Sequence, residues 1–454
     1  MTELAGESRR LVSSKMTYMD YSDYQTRKKE QILEVLKNLD LSKPDWSKPF
    51  VDTDDSTKYS VIIWYLKELV EKKEYLDQIY AVSEIYASDP DPTLEEDDLN
   101  KKILAGEEVR NIYTVRGTVS WLLTAISATF RTEYYTGIIS MLEKLAVDPV
   151  YYVRIQATYP LSFFAGNIRA RQHADGTPFN FLESDRQRVI DISFRMLREH
   201  RDLPRVLEGV TNIFEALRSV NESQAKEVIE CLFYNSEGEI QPEYITRQSV
   251  PLLIFFAEFR SSIGDGFDGK WFQDFALKLL ALPEQDAPYL RSTFIWHTWN
   301  VIKTNAEDYP KVKKYIPLFF GRRFEIQPLG QYDFLVQEVI KASPADGIHL
   351  FNTLLDYVLT WAPEYNIQHH AWLLTTHDIV QEIAKISPVD LLGILRKITD
   401  IVARDIYVGY LDVIYKSYLL VPDKEEGLAM RPEVLKLYEK VKQSRWADKI
   451  PETV

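Results

Sequence analysis

The sequence spells G-x-G-x-x-G once, at Gly264-Asp265-Gly266-Phe267-Asp268-Gly269, the order in which dinucleotide folds build a phosphate-binding turn. That turn must follow a short strand. Here Val250 to Ile263 carries helical spacing instead, and two aspartates inside the loop would repel a pyrophosphate. A calcium loop fails on the same residues, because Phe267 stands where an oxygen ligand is needed. The expected structure is a glycine-rich connection between helices.

His369, His370, His377 and Asp378, with Trp361 and Trp372 beside them, are the nearest approach to a metal site. His370 and His377 share a helix face but lie two turns apart, whereas paired ligands on one turn need a spacing of three or four. His369, His370 and Trp372 therefore read as a solvated or interface-lining face. Lys311, Lys313, Lys314, Arg322 and Arg323 alternate with Tyr315, Phe319 and Phe320, a pattern that could pair phosphates and stack bases or meet a protein partner. Asp89, Asp91, Glu95, Glu96, Asp97 and Asp98 form an acidic run, expected to be a solvated loop and helix start, or else a dock for a basic partner.

No nucleophile elbow, Walker loop, His-Glu-x-x-His or Cys-x-x-Cys occurs, and Cys231, set among Val228, Ile229, Leu232 and Phe233, reads as a core residue. No catalytic, cofactor-binding or metal-binding residue is assigned, and a protein without enzymatic activity is expected. The net charge of −14 disfavours broad contact with nucleic acid or anionic lipid, so protein partners are favoured over nucleic acid. A single cysteine allows no internal disulfide, and Glu3 and Glu7 interrupt any signal-peptide order, which points to the cytoplasm. The longest apolar run, from Val250, ends at Glu258, well short of the ~20 residues a membrane span requires.

These side chains must be carried by helices. Apolar residues make up 45% of the chain, ample for a core, and 454 residues exceed what one core serves, so two domains or a stacked array is required. Glycine is scarce, at 17, and hairpin turns are nearly absent, which argues against a β architecture. Helical spacing marks Ile32 to Leu39 and Val61 to Leu69, with Lys43-Pro44 and Lys48-Pro49 breaking the chain between them. Asp89 to Thr93 is a second break, with Thr93 and Glu96 spaced as a capping box, and Gly166 to Asn180 is a third. Further helices are predicted at 183–200, 203–219, 221–235, 242–262, 270–282, 288–304, 329–342, 345–361, 366–386, 389–403, 406–420 and 431–444.

An internal echo decides how the helices are organised. Val336 to Asp346 (VQEVIKASPAD) returns 44 residues later as Val380 to Asp390 (VQEIAKISPVD). The shared residues are mechanical: Ser343 and Ser387 as N-caps, Pro344 and Pro388 at the first helical position, Asp346 and Asp390 at the third. A second echo joins Thr114-Val115-Arg116 to Tyr152-Val153-Arg154, the later copy preceded by Leu142 to Pro149, which ends in Val147-Asp148-Pro149.

This unit resembles the HEAT repeat, whose first helix ends in a Leu-rich turn, passes through Asp-Pro and opens the second with Val-Arg. The resemblance implies that Arg116, Asp148 and Arg154 form a structural ladder between repeats. Asn111 to Gly117, with the Asp-Pro and Val-Arg that follow, also resembles helical sensor or interaction arms of bacterial anti-phage defence proteins.

The expected architecture is thus all-α, an α-solenoid of antiparallel helical hairpins of HEAT/armadillo type. Its segments are an N-terminal arm (1–21), a helical region (22–92), HEAT-like repeats (93–219), degenerate repeats (220–421), and a linker with a last helix (422–454). The expected function is that of a scaffold, adaptor or regulator binding one or more proteins, with the resemblance implying a prokaryotic defence system, anti-phage or CRISPR-linked. A nucleic-acid-binding repeat protein is the alternative. The 27 tyrosines and 9 tryptophans suit both inter-helix packing and an interaction surface.

Overall fold

Val115, Val119, Leu122, Leu123 and Ile126 recur at helical spacing and are all fully buried, which explains why the segment they occupy forms a helix and which face it hides. The same logic repeats along the chain. The computed structural model describes residues 18–93, 98–109, 113–129, 131–170, 182–263, 266–282, 288–319, 329–361, 373–403 and a few positions between 432 and 439. The protein is all-α; among the described residues no strand occurs, and the only β-type pairing is a bridge between Tyr234 and Ile240.

Two compact units divide at Ser249 and Val250. The first runs through α1 (Tyr18–Lys37), α2 (Asp55–Val61), a π turn (Ile62–Leu66), α3 (Lys67–Glu71), α4 (Leu76–Tyr86), α5 (Asp98–Leu104) and α6 (Val115–Ser127). It continues through α7 (Tyr135–Leu145), α8 (Tyr151–Ala170), α9 (Glu183–Glu199), α10 (Pro204–Leu217) and α11 (Glu222–Phe233); α12 (Glu243–Ile254) contains the division. Helices two apart in the sequence pack on each other, so that α4, α6, α8 and α10 form one row and α7, α9 and α11 another. Val153, Ala157, Leu161 and Phe164 of α8 lose all contact with solvent between these rows. Each large aliphatic side chain so buried contributes about 2 kcal/mol.

Between the helices runs a series of buried polar rungs, each joining a turn to the start of an earlier helix. Asp148 accepts Nε of Arg116 at 2.7 Å on one oxygen, and the amide of Val150 at 2.9 Å on the other. Asp89 repeats that arrangement, accepting Nζ of Lys58 at 2.8 Å and the amide of Asp91 at 3.0 Å. The next rung replaces the carboxylate with a ring: Arg154 donates to Nε2 of His200 at 2.8 Å, and Nδ1 of His200 lies 2.7 Å from the Met196 carbonyl. Burial, and then the charge of Arg154, holds the His200 pKa below its ordinary value despite the opposing Met196 bond. His200 is thus the neutral Nδ1–H tautomer, donating to Met196 and accepting from Arg154.

The second unit contains α13 (Lys270–Leu280), α14 (Pro288–Thr304), α15 (Leu329–Ala342), α16 (Pro344–Trp361), α17 (Leu373–Ile386) and α18 (Pro388–Ala403). The 44-residue echo falls on the pairs α15–α16 and α17–α18, and α15 packs on α17 as α16 does on α18. Both copies turn in one residue. The amides of Ser343 and Ser387 close the first helix of each pair on Val339 and Ile383, at 2.7 and 2.8 Å. Lys341 pairs with Glu338 at 2.8 Å and Lys385 with Glu382 at 2.6 Å, the same contact one repeat apart. The caps differ in one respect: the Ser387 hydroxyl accepts the Asp390 amide at 3.4 Å, whereas the Ser343 hydroxyl donates to the Asp346 carboxylate at 2.8 Å.

Three expectations change. Residues Tyr18 to Tyr21, expected in an arm, belong to α1. The break expected from Gly166 starts later, because α8 continues to Ala170; the ~1 kcal/mol that a mid-helix glycine costs is outweighed by the buried faces of Leu161, Phe164 and Ala165. The helix expected over 242–262 is α12 followed by a π turn (Phe255–Phe259) and a 3₁₀ turn (Arg260–Ile263). Residues 1–17, Glu95, Glu96, the helix expected at 406–420 and most of 431–444 lie outside the described residues.

Candidate partner-binding groove

Along the row of α6, α8 and α10, the buried stripe is interrupted by polar and exposed positions. On α8, Gln156 and Tyr159 lie between the core residues Val153, Ala157 and Leu161; Gln156 is buried, and Tyr159 is 54% exposed. Tyr59 stacks on Tyr113 with centroids 6.0 Å apart, and Tyr113 meets Trp121 edge-on at 6.2 Å. Trp121 then donates its indole N–H to Oε1 of Gln156 at 2.8 Å, tying α6 to α8. Pro160 has no N–H to give the carbonyl of Gln156, which therefore lacks its ordinary helical donor.

Tyr159 separates two hollows. One, of about 480 Å³, is lined by Lys67 and Val70 of α3, by Trp121, Thr124 and Ala125 of α6, and by Tyr159 itself. The other, of about 260 Å³, is more enclosed and lies among Glu107, Glu108, Tyr152, Gln156, Tyr159 and Glu208, with Arg205 at its edge. Arg205 is held in place: Nε donates to the Gly106 carbonyl at 3.0 Å, Nη1 lies 3.3 Å from Glu208, and the guanidinium sits 4.3 Å above the Tyr244 ring. Burial pushes Tyr152 up to about 12, so it is a neutral hydroxyl at ordinary pH. Among the described residues no histidine or cysteine lines either hollow. The groove offers ring faces, amide and carbonyl hydrogen bonds, and carboxylates, with the ammonium groups of Lys67 and Lys73 at the larger hollow.

No family matches this chain, and no curated protein does. Among solved structures it is similar to an engineered protein from the Northeast Structural Genomics Consortium, at 12% identity and a TM-score of 0.25 over 90% of this chain and 99% of that one. At that score the superposition carries no argument.

The residues that the sequence singled out lie elsewhere. Each lysine of the basic stretch is already paired: Lys311 with Asp308 at 2.7 Å, Lys313 with Asp346 at 2.7 Å, and Lys314 with the buried Glu258 at 2.9 Å. Tyr315 and Phe319 are core residues, and the Tyr315 hydroxyl donates to Glu258. Arg322, Arg323, His369, His370 and Trp372 lie outside the described residues. The acidic run is corrected at its start: Asp89 is buried against Lys58, and Asp91 caps α6 by accepting the Val115 amide at 2.6 Å. Both are occupied in folding because the Asp-Pro turn aims its carboxylates inward.

Arg116, Asp148 and Arg154 are brought together, Asp148 accepting Arg116 with its side chain and Nε of Arg154 with its carbonyl at 2.5 Å. In the glycine-rich loop, Gly264 and Asp265 lie outside the described residues. A Cβ on Gly269 would come 2.4 Å from the Ala257 carbonyl, so that glycine permits a close approach to the π turn. Cys231 is buried, and burial raises its thiol. Among the described residues, no group of His, Cys, Asp and Glu side chains is placed to hold a metal ion, and no helix is long and apolar enough to cross a membrane.

Proposed function

We propose that the chain is a helical-repeat scaffold of HEAT/armadillo type, an α-solenoid that binds a protein partner through the groove of its first unit and performs no catalysis. The observation that carries this reading is Tyr159. It stands 54% exposed between two hollows on a row of stacked helices, where an aromatic side chain without a partner exposes apolar area and gains by covering it. The buried Lys58–Asp89 and Arg116–Asp148 pairs support the repeat assignment, because they recur at equivalent Asp-Pro turns. A place in a prokaryotic defence system belongs to the same proposal and rests on the sequence around Asn111 to Gly117 alone. Nucleic acid is the weaker reading, since the described lysines of the basic stretch already hold carboxylates.

Site-specific photo-crosslinking in the cell of origin tests the proposal. Benzoylphenylalanine at Tyr159 should give one defined heavier species containing a second protein, and the same probe at Lys144, exposed on α7, should not. The absence of any adduct from Tyr159 and from Thr124 would count against a groove partner.

A further inference from the structure

The two hollows differ in charge, and the difference specifies a ligand. Three carboxylates, Glu107, Glu108 and Glu208, line the smaller hollow against one guanidinium, Arg205, which is itself turned to Glu208, the Gly106 carbonyl and the Tyr244 ring. Glu107 makes no ion pair or side-chain hydrogen bond among the described residues. Glu208 is already engaged by Arg205 and Glu108 has a contact of its own, so Glu107 is the carboxylate left to a ligand, and a pocket of about 260 Å³ lined by it and by the ring of Tyr159 suits one cationic side chain. The larger hollow is lined by Val70, Trp121 and Ala125 together with Lys67, Glu71 and Lys73, and its apolar part suits an apolar side chain.

The polar groups between the hollows indicate the backbone of the ligand. The carbonyl of Gln156 lacks its helical donor, and the amide N–H groups of Gln156 make no hydrogen bond among the described residues. A helical ligand satisfies its own backbone and has little use for them. An extended one does not.

Resting on the groove reading above, we propose that the first unit binds an extended segment of its partner, placing an Arg or Lys side chain among Glu107, Glu108 and Glu208 and a neighbouring apolar side chain between Trp121 and Tyr159. The net charge of −14 acts in the same direction, drawing a basic segment to the surface before it docks.

Fluorescence anisotropy on the full chain tests this with two labelled probes, four repeats of Lys-Leu-Pro and four repeats of Glu-Leu-Pro. The lysine probe should bind at least about tenfold more tightly, and Glu107→Gln with Glu208→Gln should remove most of that difference, each exposed carboxylate being worth a few-fold. Tyr159→Ala should weaken the lysine probe while thermal unfolding stays unchanged. Equal binding of the two probes, or a preference untouched by the double glutamine variant, overturns the cation pocket and leaves the groove standing. If neither probe binds while crosslinking from Tyr159 still captures a partner, the extended basic segment is wrong and the groove reading survives. If both experiments are blank, both readings fall.

Discussion

Arg116 grips Asp148 with two nitrogens, Nε on Oδ2 at 2.7 Å and Nη2 on Oδ1 at 3.1 Å, across 32 residues of sequence. The same guanidinium reaches back to the carbonyls of Asp89 and Pro92 at 2.6 and 2.8 Å. One side chain thereby ties together two successive Asp-Pro turns, which is why the row of α4, α6 and α8 holds a fixed spacing. A groove that crosses those helices inherits its shape from the rungs.

Removing either partner should therefore leave an uncompensated charge in a site where the two side chains are only 11% and 7% exposed. Arg116→Ala and Asp148→Ala are each expected to cost about 3 kcal/mol in urea unfolding. The double apolar variant Arg116→Met, Asp148→Leu should recover at least half of that loss. Single variants that unfold like the parent would show that the rung does not hold these helices together.

His200 should make the first unit acid-sensitive. Its folded pKa lies below its ordinary value of 6.5, so between the two values the unfolded chain binds the extra proton and the folded one resists it. Stability from this rung is complete above pH ~6.5 and is lost as the pH falls through the folded value. Thermal unfolding of the parent should drop on acidification more steeply than that of His200→Gln, whose amide oxygen can still accept from Arg154. Parallel curves for the two proteins would exclude the histidine as the source.

Neutralising the lysines of the basic stretch should not reveal a nucleic-acid site. Lys313→Gln with Lys314→Gln is expected to leave retention on duplex DNA at low salt as weak as that of the parent, because those ammonium groups are held by Asp346 and Glu258. Salt-sensitive retention in the parent that this pair of changes abolishes would restore the nucleic-acid reading.

Legibility followed locality. The 44-residue echo was visible because Ser343, Pro344 and Asp346 do their work within one turn, and the structure uses the same positions in the second copy. Helices α14 and α15 were bounded correctly for the same reason, since caps and breakers act on their neighbours. The rungs were legible only where Arg met Asp. Lys58 with Asp89, and Arg154 with His200, perform the same task with other residue types, and Asp89 was hidden in a run of acids that looked solvated.

The groove was harder to find because aromatic type does not reveal exposure. Tyr86 and Tyr135 are core residues, whereas Tyr113 and Tyr159 are not. One signal was present: Tyr159 falls two residues after Ala157, about 200° round the helix from the apolar stripe, which a helical projection would have shown. Nothing in the composition marks the division at Ser249 and Val250, which lies inside α12.

Close contact between α8 and α10 gives the last prediction. A Cβ on Gly209 would stand 2.4 Å from Oγ1 and 2.8 Å from Cγ2 of Thr158, a branched side chain whose hydroxyl already donates to the Ile155 carbonyl at 2.7 Å. Gly209→Ala must therefore push the helices apart or turn Thr158 out of its rotamer. It should cost about 1–3 kcal/mol in urea unfolding, although alanine favours the helix. Because Gly209 and Thr158 both line the acidic hollow, the same change should weaken the lysine probe. Adding Thr158→Ala removes the obstructing atoms, so the double variant should regain most of the stability. If Gly209→Ala alone were as stable as the parent, the two helices would have to be farther apart than the contact of Gly209 with Thr158 requires.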